Sequence, residues 1–156
     1  MQAQRACLDL AIDLVRGLDG PVLEFGLGNG RTYDHLREHL PGRDIFVFER
    51  KVAAHPDCIP PERCLFLGDV RETLPTAARR IGRPAVLAHC DIGTGDKRLS
   101  LELAALLAPA LAGLLMPGAV VVSDQPMEIP GAGPLALPEG VKEGRYFLYR
   151  MGAGGA

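Results

Sequence analysis

An apolar strand that runs into three alternating glycines constrains this chain most: Val22-Leu23-Glu24-Phe25-Gly26-Leu27-Gly28-Asn29-Gly30. Four residues of this character suit a short buried strand that delivers one carboxylate. Glycine has no Cβ and accepts positive φ, so a turn built on it lets the backbone come close to a ligand. The next segment, Arg31 to Leu40, has helical periodicity. Strand, glycine turn and helix make the nucleotide-binding half of a doubly wound fold. The expected fold class is α/β, doubly wound, with a mostly parallel sheet and helices on both faces.

The rest of the chain alternates in the same way. Residues 2–18 read as an amphipathic helix with Cys7, Leu10, Leu14 and Leu18 on one face, stopped by Gly20-Pro21. Ile45 to Glu49 and Ala85 to Asp91 are apolar runs of the kind found in strands covered on both sides. Cys64 to Leu67 and Ala119 to Ser123 read as further strands. Three prolines in 51–63 predict a short helix and a loop. Helices are expected over about 71–81, broken near Pro75, and over 97–116, kinked at Pro109 and ended by Pro117-Gly118. Residues 126–140, rich in Pro and Gly, read as a long loop of lid type, with Met127, Ile129, Leu135 and Leu137 available to a substrate. Arg145 to Met151 is expected as a last, antiparallel strand at a shortened C-terminal end, and 152–156 as a frayed tail. The whole, 1–156, reads as one domain with residues 1–19 forming its N-terminal helical part.

Charge and composition narrow the partners. Seventeen Lys and Arg against 19 Asp and Glu give a net charge of −2, with no basic block. Aromatics are 5% and Trp is absent. Neither a phosphate-binding patch nor a base-stacking platform is expected, so nucleic acid is not an expected partner. Asp9 and Asp13 interrupt what would be a signal-peptide core, and the apolar run Leu103 to Met116 is too short to span a bilayer and contains Pro109. No membrane association is expected, and the expected location is the cytoplasm. Cys7, Cys58, Cys64 and Cys90 show no C-x-x-C spacing and read as reduced and structural.

Acids mark the ends of successive strands: Glu24, Glu49, Asp69, Asp91 and Asp124. In a parallel sheet these ends open on one cleft. Glu49 lies 21 residues beyond Gly28, where a carboxylate can accept both hydroxyls of a nucleoside ribose. Asp69 can accept from an adenine amino group or cap the helix after it, since Glu72 stands at capping-box spacing. Glu24 is expected beneath the glycine turn.

Read together, these residues resemble the class I S-adenosylmethionine-dependent methyltransferases, whose domain is Rossmann-like. Glu24, Gly26, Gly28 and Gly30 resemble the family's first motif; Glu49 resembles its ribose-binding acid. Gly68-Asp69-Val70 resembles the segment packed on the adenine, and Leu115-Met116-Pro117-Gly118-Ala119-Val120 the stretch before strand five. The resemblance spans about residues 20–125 and implies S-adenosyl-L-methionine as cofactor. It implies cofactor contacts from Glu24, Phe25, Gly26, Leu27, Gly28, Asn29, Gly30, Tyr33, Glu49, Arg50, Gly68, Asp69, Val70 and Asp91. Glu24 would lie near the cofactor's ammonium, and Tyr33 would reach its carboxylate or pack in the core. Few residues follow Ser123, so the family's helix between strands five and six is expected to be missing.

Methyl transfer needs an oriented nucleophile more than a dedicated catalyst. An acceptor hydroxyl would need a base, and Asp91, Asp124 and His89 are the candidates, with Asp91 and Asp124 preferred. Asp91 with Asp124-Gln125 also resembles the metal ligands of catechol-type O-methyltransferases, but Gln replaces Asn, and no metal is expected. His35 and His39 lack the H-E-x-x-H order and read as a solvated helix face. The expected activity is methylation of a small molecule or a protein side chain, by a chain compatible with a homodimer. The competing readings are a partner-dependent, non-catalytic cofactor-binding subunit and a nicotinamide oxidoreductase. The second is disfavoured because a dinucleotide fingerprint reads G-x-G-x-x-G.

Overall fold

The computed structural model describes residues 2–153. Seven strands make one sheet: β1 (Val22–Phe25), β2 (Ile45–Glu49), β3 (Leu65–Leu67), β4 (Ala85–Cys90), β5 (Leu115–Ser123), β6 (Ala132–Pro134) and β7 (Phe147–Met151). Their order is β3-β2-β1-β4-β5-β7-β6. The first five are parallel, while β7 runs antiparallel to both β5 and β6. The chain winds outward from β1 to β3, then crosses back to β4. The crevice at the carboxyl ends of β1 and β4 is therefore the switch point at which ligands bind in such sheets.

Helices α1 (Gln2–Val15) and α2 (Arg31–His39) cover one face; α3 (Val70–Ile81) and α4 (Lys97–Leu114) cover the other. Strand alternation sorts the core accordingly. Val22, Ile45, Val47, Val120 and Val122 face α1 and α2; Leu23, Phe25, Phe46, Phe48 and Phe66 face α3 and α4. On that second face Phe25, Phe48 and Phe66 stack across three strands, with ring centroids 4.4 and 4.3 Å apart. The Arg80 guanidinium lies 3.8 Å over Phe66 and closes the ladder against solvent. Among the described residues, no helix is long and apolar enough to cross a membrane.

Several boundaries differ from the sequence reading. α1 ends at Val15, where Arg43 reaches over to the carbonyls of Val15, Arg16 and Gly20. Its buried stripe is Leu8, Ala11, Ile12 and Val15 with Cys7; Leu10, Leu14 and Leu18 lie half-buried on its flank. Two adjoining apolar stripes exist, and the one with small Ala11 fits closest to the sheet. α3 and α4 pass through Pro75 and Pro109 without a break. Both prolines are exposed, so water can take the carbonyl each leaves unpaired. The stretch before Ala119 is strand rather than helix: Leu115 pairs with Ala85, and Pro117-Gly118 sit in an irregularity before Val120 pairs with Leu87.

The 126–140 stretch is only partly loop. Ala132–Pro134 forms β6, whose Ala-Gly-Pro sequence carries no strand signal but suits an edge, where proline blocks further pairing. Met127 and Ile129 are buried in the core on the α3–α4 side and are not open to a substrate. Among the described residues no helix separates β5 from β6. Of the expected tail, 154–156 lie outside the described residues, and Gly152 donates its amide to the Gly131 carbonyl at 2.8 Å.

Removing the outer ring of the ladder, Phe66→Ala, is expected to lower unfolding stability by about 3–5 kcal/mol in a urea titration, whereas Phe66→Leu costs less than half of that.

Candidate functional site

The glycine turn is shaped by what presses on it. Gly26 has φ 95°, and a Cβ there would stand 2.4 Å from the carbonyl oxygen of Asp91. A Cβ on Gly30 would stand 2.4 Å from Cys58 Cβ. At Gly28, φ is 54° and nothing lies within 4 Å of the Cβ position. The outer two glycines thus permit packing, and the middle one faces open space.

Glu49 fastens the turn from the neighbouring strand. Its Oε2 accepts from the amides of Leu27 at 2.6 Å and Gly28 at 3.1 Å, while Oε1 accepts from Arg50 at 2.9 Å. Asn29 Oδ1 accepts from the Arg31 amide at 3.0 Å, an Asx turn around Gly30, the N-cap residue of α2.

Beside the turn lies a cleft of about 280 Å³ on the α3–α4 side of the strand ends. Phe25 and Phe48 supply apolar wall, Leu103 and Leu107 of α4 face them, and Glu49, Asp69 and Asp91 bring carboxylates to its edge. Gly26, Arg50, Gly68 and Val70 line it too. Asp69 caps α3 by accepting from the Arg71 amide at 2.9 Å, the contact that most holds its carboxyl below the usual range. Sequence reasoning did not single out Phe48, Arg71, Ile92, Gly93, Thr94, Leu103 or Leu107. The i, i+4 spacing of Leu103 and Leu107 was the available signal.

Glu24 is not in that cleft. It is the penultimate residue of β1, points to the α1–α2 side, and is fully buried. Its Oε1 accepts from His89 Nδ1 at 2.7 Å, and Oε2 has no partner in the protein. With Nδ1 donating, His89 Nε2 accepts from the Gln4 side chain of α1, 3.3 Å away. Burial pushes the Glu24 carboxyl above its usual range, against the pull of His89.

Asp91 and Asp124 meet at the ends of β4 and β5. Asp124 Oδ1 accepts from the Ile92 amide at 3.1 Å and Oδ2 from Gly93 at 2.8 Å. Asp91 lies against it within hydrogen-bonding reach. Desolvation first, and then the Asp124 carboxylate, raise the Asp91 carboxyl above its ordinary value, with His89 opposing. Asp124 commits an oxygen to each of the two amides, and among the described residues no three His, Cys, Asp or Glu gather as a metal site.

The remaining residues lie off the cleft. Leu27 and Tyr33 are buried in the core on the α1–α2 side, with the Arg37 guanidinium 4.8 Å from the centre of the Tyr33 ring. Of the two histidines expected on a solvated face, His39 is exposed and His35 is not. His35 is 6% exposed, bonds Asp9 at 2.6 Å and Arg5 at 2.8 Å on α1, and has the His39 ring 4.1 Å away. The charged residues of α1 drew it into the helix–helix contact. All four cysteines are free.

Residues 1–151 match a family described as S-adenosyl-L-methionine methyltransferase. The crystal structure of an S-adenosyl-L-methionine methyl transferase from Silicibacter pomeroyi DSS-3 is 50% identical, with a TM-score of 0.90 over 96% of this chain and 92% of its own. Cofactor-bound Rv0187 from MTB is 18% identical, with a TM-score of 0.57 over 96% of this chain and 78% of its own. An O-methyltransferase family protein from Burkholderia thailandensis is 13% identical, with a TM-score of 0.53 over 98% of this chain and 57% of its own. The last two show likeness of fold. No curated protein matches the chain.

Two consequences can be measured. Gly26→Ala is expected to cost about 2–4 kcal/mol in chemical denaturation, because the new methyl meets backbone as well as an unfavourable φ. Gly28→Ala meets only the φ penalty, about 1–2 kcal/mol. The raised Glu24 carboxyl means that the folded chain holds a proton the unfolded chain has released. Its stabilising contribution is full below pH 4.5 and is lost as pH rises through the higher native value. Wild type should therefore lose stability relative to Glu24→Gln as pH rises above 4.5, and parallel stability–pH curves would refute this.

Proposed function

The chain belongs to the S-adenosyl-L-methionine methyltransferase family, and we propose that its glycine turn, Glu49 and Asp69 hold the cofactor while Asp91 and Asp124 face the methyl acceptor. It is an S-adenosyl-L-methionine-dependent methyltransferase. The observation that carries the site assignment is the contrast among the glycines: only Gly28 opens onto space at the switch point, next to a carboxylate already aimed at its amide.

The residues present fit the cofactor. Its amino-acid end carries an ammonium, and the buried Oε2 of Glu24, just beneath the turn, lacks a partner. Its diol calls for a carboxylate acceptor, and Glu49, whose Oε1 takes only the Arg50 amide, keeps a lone pair for it. Its adenine calls for an apolar slot with a polar edge, and the cleft offers Phe25, Phe48, Val70, Leu103 and Leu107 beside Asp69. Gly26, Arg50, Gly68 and Asp91 would complete the contacts from the same lining, with Leu27, Asn29 and Gly30 holding the turn and Tyr33 supporting it from the core.

When bound, S-adenosyl-L-methionine supplies a methyl group on a sulfonium, an electrophile with a good leaving group. The chain's task is then to orient the acceptor, an effect worth up to about 7–11 kcal/mol. Asp91, with its raised carboxyl, accepts the proton of an acceptor O–H or N–H. Asp124, pinned by two amides, holds Asp91 in place. The acceptor is a small molecule or a protein side chain, and the acidic strand ends with a net charge of −2 disfavour nucleic acid. The chain forms one domain over 1–156, with 126–140 as its candidate lid segment, although Leu135 and Leu137 pack on the α1–α2 face and Met127 and Ile129 in the core. Four unpaired cysteines support a reducing, cytoplasmic location. Exposed Leu99, Leu101 and Leu106 along α4 support a homodimer.

Calorimetric titration with S-adenosyl-L-methionine and S-adenosylhomocysteine is expected to give micromolar binding. Glu49→Ala is expected to weaken both by about 10–100-fold through lost charge-assisted hydrogen bonds. NAD and NADP should give no heat. Retained affinity in Glu49→Ala would sink the assignment of this site.

A further inference from the structure

Pairing across the sheet lays out two rows of residues on the α1–α2 face. Glu24 pairs with His89, His89 with Val122, and Val122 with Leu148. Cross-strand partners point to one face, so these four share a row. One step of like parity further, at the mouth of the sheet, stand Gly26, Asp91, Asp124 and, on the antiparallel chain leading into β7, Tyr146. The backbone ladder continues into this row: the Asp91 amide donates to Phe25 at 2.9 Å and the Asp124 amide to Cys90 at 3.1 Å.

Tyr146 therefore belongs beside the two acids, although more than 20 residues separate it from the nearer one in sequence. Its side chain is half-buried on this face. It packs against the α1–α2 cluster near Gln4 and lies in the field of both Asp91 and Asp124. Burial first, then those carboxylates, keep the phenol protonated, so its hydroxyl can donate one hydrogen bond and its oxygen can accept another, as from an ammonium.

Gln4 is held from below. Its amide meets His89 Nε2 at 3.3 Å, and His89 Nδ1 meets Glu24 Oε1 at 2.7 Å. A chain of polar side chains thus runs from under the glycine turn towards Tyr146. None of its members lines the cleft between Phe48 and Leu107. A buried Glu–His pair is costly to assemble and needs a reason to persist. Fixing the amide near Tyr146 is such a reason.

We propose that Tyr146 is a residue of the methyl-acceptor site, its hydroxyl facing the point of transfer, and that Gln4, anchored on the Glu24–His89 pair, positions it. This rests on the reading of Asp91 and Asp124 as the acceptor side. Tyr146 orients the acceptor atom while Asp91 takes its proton. The two occupy one row and reach that atom from neighbouring directions.

Two ligands separate this proposal from the site assignment beneath it. S-adenosylhomocysteine has nothing at the transferred methyl, and sinefungin carries an amine there. Both are titrated calorimetrically into the full chain, wild type and Tyr146→Phe. The variant is expected to bind sinefungin about tenfold more weakly, the effect of one lost hydrogen bond to a charged group, and S-adenosylhomocysteine within twofold of wild type. Gln4→Leu, which leaves the phenol in place but unsupported, is expected to show the same selective loss at smaller size. Thermal melts check that both variants fold. Equal changes for the two ligands in Tyr146→Phe, or no change for either, overturn the placement of Tyr146. A selective loss there without any in Gln4→Leu overturns the positioning chain. If S-adenosylhomocysteine binds wild type and Glu49→Ala alike, the cofactor-site reading has failed instead.

Discussion

The close junction of β1 and β4 underlies the rest of the site. The backbone of Gly26 comes so near the Asp91 carbonyl that a Cβ would stand 2.4 Å from it. Beyond this contact the two chains part, β1 leading to α2 on one face and β4 towards α4 on the other. Parting opens the crevice, and the junction sets its floor. It also brings Asp91 to the edge of the turn, within reach of the carboxylate from β5. A bulkier residue at position 26 would have to push β4 away and would disturb both.

The acids around this junction are stabilised largely by backbone dipoles. Glu49 takes three amides, Asp124 takes two and Asp69 takes one. Amides at strand ends and turns are already oriented, so they hold Glu49 and Asp124 without a paired arginine or lysine, while Asp69 also has the Arg71 guanidinium 3.5 Å away. The arrangement leaves carboxylates from Asp91 and Asp124 at the ends of β4 and β5. Glu24 differs. It is removed from water, shares one oxygen with His89, and leaves the other unsatisfied. A buried acceptor without a partner is rare in a native structure, and this one lies beneath the glycine turn.

Much of this was legible in the sequence because it follows from local pattern. β1 and β2 have the boundaries that their apolar runs announce, and β4 is shorter by one residue. The glycine turn, the acids after β2, β3, β4 and β5, and the antiparallel last strand could all be read one after another along the chain. β6 could not, because Ala-Gly-Pro has no strand propensity and becomes a strand only by pairing with β7. Pro75 and Pro109 read as breaks, since the sequence does not say that they face solvent. His35 looked solvated because the partners that bury it, Arg5 and Asp9, belong to another helix.

The sequence by itself determined the fold class, the place of the turn and the acids that border it. Those depend on the intrinsic reach and φ range of each residue and on two short periodicities. Only the tertiary structure decided which face each acid turns to, and which side chains stand beside it. It separated Glu24 from the cleft, tied it to His89 and Gln4, and set Tyr146 in line with Asp91 and Asp124. Sheet register and helix docking decide such neighbours, and both are properties of contacts between segments far apart in the chain. No local pattern encodes them, because each segment would form the same strand or helix whichever partner it met.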